Sequence, residues 1–220
     1  KKETDYLTKA NEYFKNKNIS KAFEFYELSA QQNNPDAQYA LGKFYYKGKV
    51  VEEDKNKAVI FFRLSAEQNN IKALYDLGIC YRLGNGVIKD MKKALEYITS
   101  SAEKGYSNAQ FRLGKYYENG FQLEKDMEKA IRWYQLSAEQ GNPDALNNLA
   151  KCYYSGNGVE KNLEKAFYLF KSSAEKKNKY AQFSLASFYY YGYIVEENMN
   201  MFFDLCQKSA NQNNALAQFY

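Results

Sequence analysis

The chain has 220 residues, of which 45% are hydrophobic and 26% are charged, so its composition is that of a folded globular protein and excludes a disordered one. It contains no histidine, which removes the commonest general base and the commonest metal ligand in proteins. The net charge of +5 is too small to indicate nucleic-acid binding by itself, and no apolar run approaches the roughly 20 residues that a membrane helix needs.

The first residues and the cysteines indicate whether the chain is part of a longer protein and which compartment it occupies. Residues 1–5 contain neither an initiator methionine nor an apolar signal stretch, so we expect the chain to be part of a longer protein. Cys80, Cys152 and Cys206 do not have the spacing of a metal site. An odd and sparse set of cysteines is typical of a reducing compartment. We therefore expect a cytoplasmic protein whose cysteines are reduced core residues.

A 36-residue period runs along almost the whole chain. One alanine recurs at this spacing, at Ala37, Ala73, Ala109, Ala145, Ala181 and Ala217. A leucine four residues later does the same, at Leu41, Leu77, Leu113, Leu149 and Leu185. A constant period without insertions indicates a repeat architecture. The predicted repeats are residues 35–70, 71–106, 107–142, 143–178 and 179–214, and a single solenoid domain is predicted to cover residues 1–220.

Each repeat is predicted to form two helices. In the first helix, Ala37, Leu41 and Tyr45 fall at helical spacing on one face, and in the second helix Ala58 and Phe62 do so. Small residues in the register of Gly42 are expected to let the two helices approach each other closely. The pattern therefore predicts an all-α fold of stacked helical hairpins.

Residues at the predicted helix ends agree with this pattern. The sequence Asn34-Pro35-Asp36 supplies an N-cap, a proline at the first helical position and an acid near the positive end of the helix dipole. Gly48 and its equivalents are expected to end the first helix in a left-handed conformation. The shared register of Asp54, Asp90 and Asp126 predicts N-caps for the second helices.

These residues resemble the Sel1-like repeat, a relative of the tetratricopeptide repeat. The stretch that matches its pattern most fully contains Ala73, Leu77-Gly78, Tyr81, Gly84, Gly86-Val87, Asp90 and Lys93-Ala94. The resemblance covers almost the whole chain. It implies a right-handed α-solenoid whose first helices line a concave surface, and a role in protein–protein assembly.

Both ends depart from the pattern. Residues 1–34 have a shorter loop between the helices and look more like a plain tetratricopeptide hairpin, and residues 215–220 look like the start of a further repeat. In the last complete repeat, Met201-Phe202 replaces the usual Lys-Ala. The apolar C-terminal edge around Ala210, Leu216 and Phe219 is expected to be covered by self-association or by continuation of the array.

No pattern in the chain indicates an enzyme. The Gly84-Asn85-Gly86 loop lacks the third glycine of a dinucleotide site and the Gly-Lys-Ser/Thr ending of a phosphate loop. Without histidine, catalysis would need a paired-carboxylate or lysine site, and no pair of residues breaks the repeat register to form one. We therefore predict no catalytic residue, no cofactor and no metal.

The solvent-facing positions of the first helices are the candidate binding site. If the family geometry holds, they lie two residues before the repeated leucine, and two and five residues after it. The first row is Tyr39, Tyr75, Phe111, Asn147 and Phe183. The second row is Lys43, Ile79, Lys115, Lys151 and Ser187. The third row is Tyr46, Arg82, Glu118, Tyr154 and Tyr190.

Aromatic rings beside lysines suit an extended or helical acidic peptide, because tyrosine offers a large contact area at low entropic cost. The leading prediction is a scaffold or adaptor that binds a protein or peptide on its concave face. The rings could instead pack sideways on neighbouring helices, and the lysines could simply be solvated. Two other functions remain open: binding of single-stranded nucleic acid, which is less favoured, and a regulatory module of a larger enzyme or effector.

Overall fold

The computed structural model describes residues 5–219, and the predictions for residues 1–4 and Tyr220 lie outside that range. The described residues form thirteen α-helices and no strand, which confirms the all-α prediction. The first helices of the hairpins are α1 (Tyr6–Lys15), α3 (Pro35–Lys47), α5 (Ile71–Leu83), α7 (Ser107–Asn119), α9 (Pro143–Ser155) and α11 (Lys179–Tyr191). The second helices are α2 (Ile19–Gln31), α4 (Lys55–Glu67), α6 (Met91–Glu103), α8 (Met127–Glu139), α10 (Leu163–Glu175) and α12 (Met199–Ala210), and α13 (Ala215–Gln218) follows them.

The helices form two compact units, Lys1–Ala109 and Gln110–Tyr220. In the N-terminal unit, each helix from α2 to α5 packs against the helix before it and the helix after it. In the C-terminal unit, the helices from α9 to α12 do the same. Within each unit, the hairpins therefore bury apolar faces against their neighbours in the chain, as in other repeat proteins. The single solenoid domain over residues 1–220 stays a prediction.

The helix ends follow the sequence signals. The Asn34 side chain caps α3 by accepting hydrogen bonds from the backbone amides of Asp36 and Ala37, at 3.0 and 3.1 Å. The Asp54 side chain caps α4 by accepting from the amide of Lys57 at 2.9 Å. These bonds satisfy amides that have no partner within the helix.

The two helices of a hairpin lie very close together at one register. A Cβ atom placed on Gly42 of α3 would lie 2.5 Å from the Phe62 ring of α4, and one placed on Gly78 of α5 would lie 2.8 Å from Ile98 of α6. Phe62 and Ile98 are almost completely buried. The small residue is therefore required by the large side chain opposite it, as the sequence pattern predicts.

A buried serine ties the second helix of a hairpin to the start of the first. Ser65 Oγ donates a hydrogen bond of 2.6 Å to the Pro35 carbonyl, and Ser101 Oγ donates one of the same length to the Ile71 carbonyl. In the C-terminal unit, Ser173 and Ser209 donate in the same way to Pro143 and Lys179. The bond satisfies a hydroxyl that would otherwise be buried without a partner.

A lysine in the first turn of the second helix lies over a tyrosine ring at the end of the first. The distances from the lysine Nζ to the ring centroid are 4.1 Å for Lys57–Tyr45, 5.4 Å for Lys93–Tyr81, 5.5 Å for Lys129–Tyr117 and 5.2 Å for Lys165–Tyr153. Such cation–π contacts stabilise the loop end of each hairpin. In the last hairpin the lysine register is occupied by Met201, so this contact is absent there.

The loop between the helices requires a left-handed residue at the register of Gly86. Gly86 has a φ of +70°, and a Cβ atom there would lie 2.1 Å from the Lys55 carbonyl oxygen. Val50 and Ile194 occupy the same register and have φ values of 68° and 66°. Side chains branched at Cβ are strained in this conformation, so these two loops are less stable than the loop at Gly86.

We predict that Val50→Gly and Ile194→Gly each raise the free energy of unfolding by about 0.5–1 kcal/mol, because relief of left-handed strain outweighs the added entropy of the unfolded chain. Both side chains are about half exposed, at 51%, so little packing is lost. Urea unfolding followed by circular dichroism measures the change. Gly86→Ala is the matched control and should lower stability. A loss of stability in both Val50→Gly and Ile194→Gly would contradict the interpretation that these two positions are strained.

Candidate partner-binding surface

In the N-terminal unit, the predicted surface is organised by an aspartate that the sequence analysis missed. Tyr39 and Lys43 of α3 are half-buried, and both contact Asp76 of α5. The Tyr39 hydroxyl donates to Asp76 Oδ2 at 3.0 Å, and Lys43 Nζ lies 2.9 Å from the same oxygen. Burial, followed by the charge of Asp76, raises the pKa of Tyr39. The lysine that was expected to meet an acidic partner is therefore already paired with an acid of this chain.

The remaining predicted residues of this unit also contact their neighbours. The Tyr46 ring lies 3.8 Å from Lys55 Nζ, and its hydroxyl accepts a hydrogen bond of 2.7 Å from Asn85 Nδ2. Tyr75 packs edge-on against Tyr106, with 5.4 Å between the ring centroids. Arg82 is half-buried in the last turn of α5. The sideways packing that the sequence left open is thus present here.

The C-terminal unit contains a second polar network, centred on Glu118 of α7. Lys115 Nζ lies 2.7 Å from Glu118 Oε2, and the hydroxyl of buried Tyr134 donates to the same oxygen at 2.8 Å. Burial raises the pKa of Glu118, but the hydrogen bonds from Lys115 and Tyr134 and the charges of Lys115 and Lys151 outweigh it, so that the pKa is lowered. Phe111 packs against the Tyr134 ring at 5.9 Å.

The prediction that Asn147 faces solvent was wrong. Only 3% of Asn147 is exposed, its Nδ2 donates to Asn148 Oδ1 at 3.3 Å, and its own Oδ1 has no partner among the described residues. The physical reason is length: the tyrosines and phenylalanines of this register are partly exposed, whereas the shorter asparagine does not reach the surface. The register therefore does not give a continuous aromatic row.

The other predicted residues of this unit keep exposed surface. Lys151 is exposed, and its Nζ lies 5.8 Å from the centroid of the Tyr180 ring. Tyr154 and Tyr190 are 41% and 44% exposed, and they pack on Phe188 and Phe202 at 5.9 and 5.1 Å. Phe183 is half-buried. Whether these residues bind a partner stays a prediction.

A groove of about 510 Å³ lies in the N-terminal unit. Its apolar lining includes Leu7 and Phe14 of α1, and Phe44 of α3, while Lys43 and Lys72 contribute positive charge. Phe14 is 50% exposed and lies edge-on to Phe44, with 6.4 Å between the ring centroids. The sequence analysis did not include α1 in the site, because residues 1–34 depart from the repeat on which the rows were based. Phe14, an aromatic residue in the last turn of α1, was the sequence signal that could have added α1 to the site.

The three cysteines are core residues, as predicted. Each is buried and free of disulfide bonds. Burial raises the pKa of the Cys80 thiol to about 12 and that of the Cys152 thiol to about 11. Both thiols are therefore protonated at neutral pH, and they lack the thiolate character of reactive cysteines.

Residues 5–219 contain neither a helix that could span a membrane nor a group of side chains that could hold a metal ion. No helix there is long and apolar enough to cross a membrane. Within the same residues, no three side chains among histidine, cysteine, aspartate and glutamate are grouped closely enough to hold a metal ion.

Helical hairpins that repeat every 36 residues and pack on the hairpins next to them define a helical-repeat protein of the α-solenoid class. The family model of the Sel1 repeat matches residues 8–34, 35–70, 71–106, 107–142, 143–178 and 179–214. The chain therefore belongs to the Sel1 repeat family, as the resemblance predicts. Proteins with this fold are generally scaffolds for protein interaction.

Solved structures show the same architecture. A Sel1 repeat protein from Oxalobacter formigenes is 26% identical, with a TM-score of 0.88 over 96% of this chain and 86% of that one. A protective antigen of uropathogenic Escherichia coli with an SLR fold is 30% identical, with a TM-score of 0.81 over 98% of this chain and 47% of that one. An immunity protein from Pseudomonas aeruginosa shares the fold. It is 23% identical, with a TM-score of 0.56 over 84% of this chain and 69% of that one. A search of curated proteins gave no match.

We predict that Glu118→Gln lowers the free energy of unfolding at pH 7 by about 1 kcal/mol, because a carboxylate that accepts from Lys115 and Tyr134 is replaced by a neutral amide. The folded-state pKa of Glu118 is lowered, so its contribution is present above the unfolded-state pKa. The difference between the wild type and the variant should therefore shrink as the pH falls below about 4.

Urea unfolding at neutral and acidic pH measures this difference. Asp204→Asn is the control, since the Asp204–Lys208 pair is exposed, with side chains 48% and 57% accessible. Its effect should stay within about 0.5 kcal/mol at either pH. A Glu118→Gln effect that is equally large in acid would show that the charge of Glu118 contributes nothing.

Proposed function

We propose that the chain binds an extended segment of a partner protein on the first-helix side of its hairpins, with the groove of the N-terminal unit as the main site. The observation that carries the proposal is the groove itself, whose volume is about 510 Å³ and whose lining combines apolar rings with lysines. Ligand sites are typically concave and mostly apolar, with a few polar groups that fix orientation. Scaffold function in the family agrees with this assignment.

The polar groups of the groove favour a segment that carries an acidic residue. Lys72 is exposed, and its ammonium group makes no ion pair with the described residues. The acid on the same side, Asp36, accepts a hydrogen bond of 2.9 Å from Asn70 Nδ2. Lys43 keeps part of its surface open beside Asp76, since 34% of its side chain is accessible. We therefore expect one apolar anchor of the partner on Phe14 and Phe44, and a carboxylate near Lys72.

Binding of single-stranded nucleic acid is less well supported by the same surface. Base stacking needs open ring faces. The Tyr39 ring packs on Phe62 at 5.9 Å between centroids, and the Tyr46 ring is covered by Lys55. A regulatory module of a larger enzyme or effector would use the groove as a scaffold does, so the groove does not distinguish these two roles.

We predict that Lys72→Glu weakens binding of an acidic peptide about tenfold, because the charge reversal turns attraction into repulsion. The probe is a peptide selected on the intact chain from a random display library and measured by isothermal titration calorimetry. Phe14→Gln should weaken binding of the same peptide, because it removes the apolar surface on which the peptide's anchor residue packs. Lys49→Glu is the matched control, since it reverses an exposed charge of the same unit outside the groove lining and should leave binding unchanged.

Equal affinity for the Lys72→Glu and wild-type chains would contradict this site. The titration is repeated at two salt concentrations. A steep loss of affinity with salt that is shared by single-stranded DNA would favour nucleic acid as the partner.

We also propose self-association through the edge formed by α13. Its Leu216 is 67% exposed, and Phe219 just after it is 86% exposed. Large apolar side chains with this exposure favour burial, either against a second copy, as proposed here, or against a following repeat, as the sequence also predicted.

We predict that Leu216→Ser combined with Phe219→Ser shifts the chain from dimer toward monomer in sedimentation equilibrium, because the apolar contact area is removed. Leu83→Ser is the control, since Leu83 is 49% exposed in the N-terminal unit and should leave the mass unchanged. A wild-type chain that sediments as a monomer over the full concentration range would refute the proposal.

A further inference from the structure

The last hairpin has a cluster of exposed aromatic rings. Tyr190 and Tyr191 at the end of α11 are 44% and 61% exposed, and their rings are perpendicular, with centroids 4.9 Å apart. The Tyr190 ring also contacts Phe202 of α12 at 5.1 Å. These three rings, with Phe183 and Ser187, line a pocket of about 100 Å³. A small pocket with rings on several sides suits one side chain of a partner.

The equivalent ring of the N-terminal unit is covered by a cation of its own chain. Tyr46 is in the register of Tyr190, and Lys55 at the start of α4 lies 3.8 Å from its centroid. The residue equivalent to Lys55 at the start of α12 is Met199, and the residue equivalent to Lys43 is Ser187. No lysine or arginine among residues 5–219 lies over the rings of Tyr190 or Tyr191. Lys55 is the exception in its register, since the other 36-residue repeats have Met91, Met127, Leu163 and Met199 there. The Tyr190 and Tyr191 rings are therefore without an internal cation and open to one from outside.

The charge of the hairpin is complementary to a cation. Residues 179–214 carry two lysines, Lys179 and Lys208, against the three acids Glu196, Glu197 and Asp204, in a chain whose net charge is +5. Lys208 Nζ pairs with Asp204 at 2.6 Å, and Lys179 Nζ donates to the Gln212 carbonyl at 3.3 Å. Within the described part of the chain, neither Glu196 nor Glu197 forms an ion pair. The local excess of negative charge is thus in the loop that joins α11 to α12.

We propose that this pocket binds an arginine side chain of a partner protein, with the guanidinium group over the Tyr190 ring. Cations are attracted to the negative face of an aromatic ring, and arginine forms such contacts most often because its planar group stacks on the ring and is weakly hydrated. The site takes from a partner what Lys55 supplies internally to Tyr46. It differs from the N-terminal groove in the sign of the charge that it selects, and it does not depend on that groove.

The experiment uses two blocked pentapeptides with a central arginine or a central citrulline between glycines. Citrulline has nearly the shape of arginine without the charge. Binding to the whole chain is followed by NMR of methyl-labelled methionines. Met199 reports on the site because it is in the register of Lys55, while Met91 and Met127 begin other second helices and serve as internal controls. We expect the arginine peptide to shift Met199 and to leave Met91 and Met127 unchanged, with an affinity by isothermal titration calorimetry at least about threefold above that of the citrulline peptide.

Two pairs of variants test the mechanism. Met199→Lys restores the internal cation and should abolish the preference for arginine over citrulline, whereas Met199→Gln, with a neutral side chain of similar length, should keep it. Tyr190→Phe should keep the preference because the ring remains, and Tyr190→Leu should lose it. Circular dichroism checks that each variant is folded, and Met199→Lys tests the site even where Tyr190→Leu does not fold. The proposal is overturned if neither peptide shifts Met199 of the unmodified chain, if both peptides bind equally well, or if Met199→Lys leaves the preference intact.

Discussion

The structure depends on one contact that recurs in its hairpins: the backbone of the first helix lies directly against a large side chain of the second. The contact is seen at Gly42 against Phe62 and at Gly78 against Ile98. Close approach of the two helices brings the serine hydroxyl of the second helix within 2.6 Å of a carbonyl at the start of the first. It also brings a lysine of the second helix over a tyrosine ring of the first. The small residue, the serine and the lysine of the repeat are therefore parts of one packing arrangement, and each is explained by the distance between the helices.

The same arrangement decides which charges remain for recognition. In most hairpins a lysine in the first turn of the second helix lies over a tyrosine ring of the first helix. Lys43 and Lys115 are paired with acids of the chain. What remains are charges and rings that lack an internal partner. Lys72 at the N-terminal groove is one case, and the Tyr190 ring of the last hairpin, over which no lysine or arginine of residues 5–219 lies, is the opposite case. Charges without an internal counter-ion and rings without an internal cation are therefore better guides to binding than register position alone.

The candidate site was predicted less well than the fold, and particular residues show why. The three rows were read along one register at a time, which placed Tyr39 and Lys43 beside each other but did not show that both contact Asp76. Asp76 was missed because it lies in a different register of the next repeat, where the other repeats have alanine, arginine, asparagine or serine. Asn147 was placed on the surface because the family geometry predicts that its register faces solvent, but a short side chain in that position is buried. Contacts between neighbouring repeats depend on the actual pair of side chains, and a period does not specify them.

The sequence by itself determined the helical hairpins, their caps and their constant length, because these depend on local spacing and on residues close together in the chain. The tertiary structure alone decided which lysines are free, which rings are open and where a groove forms. These properties arise when side chains from helices some 36 residues apart meet. Their pairing is set by distance and burial in the folded state, and a pattern along the chain contains neither quantity.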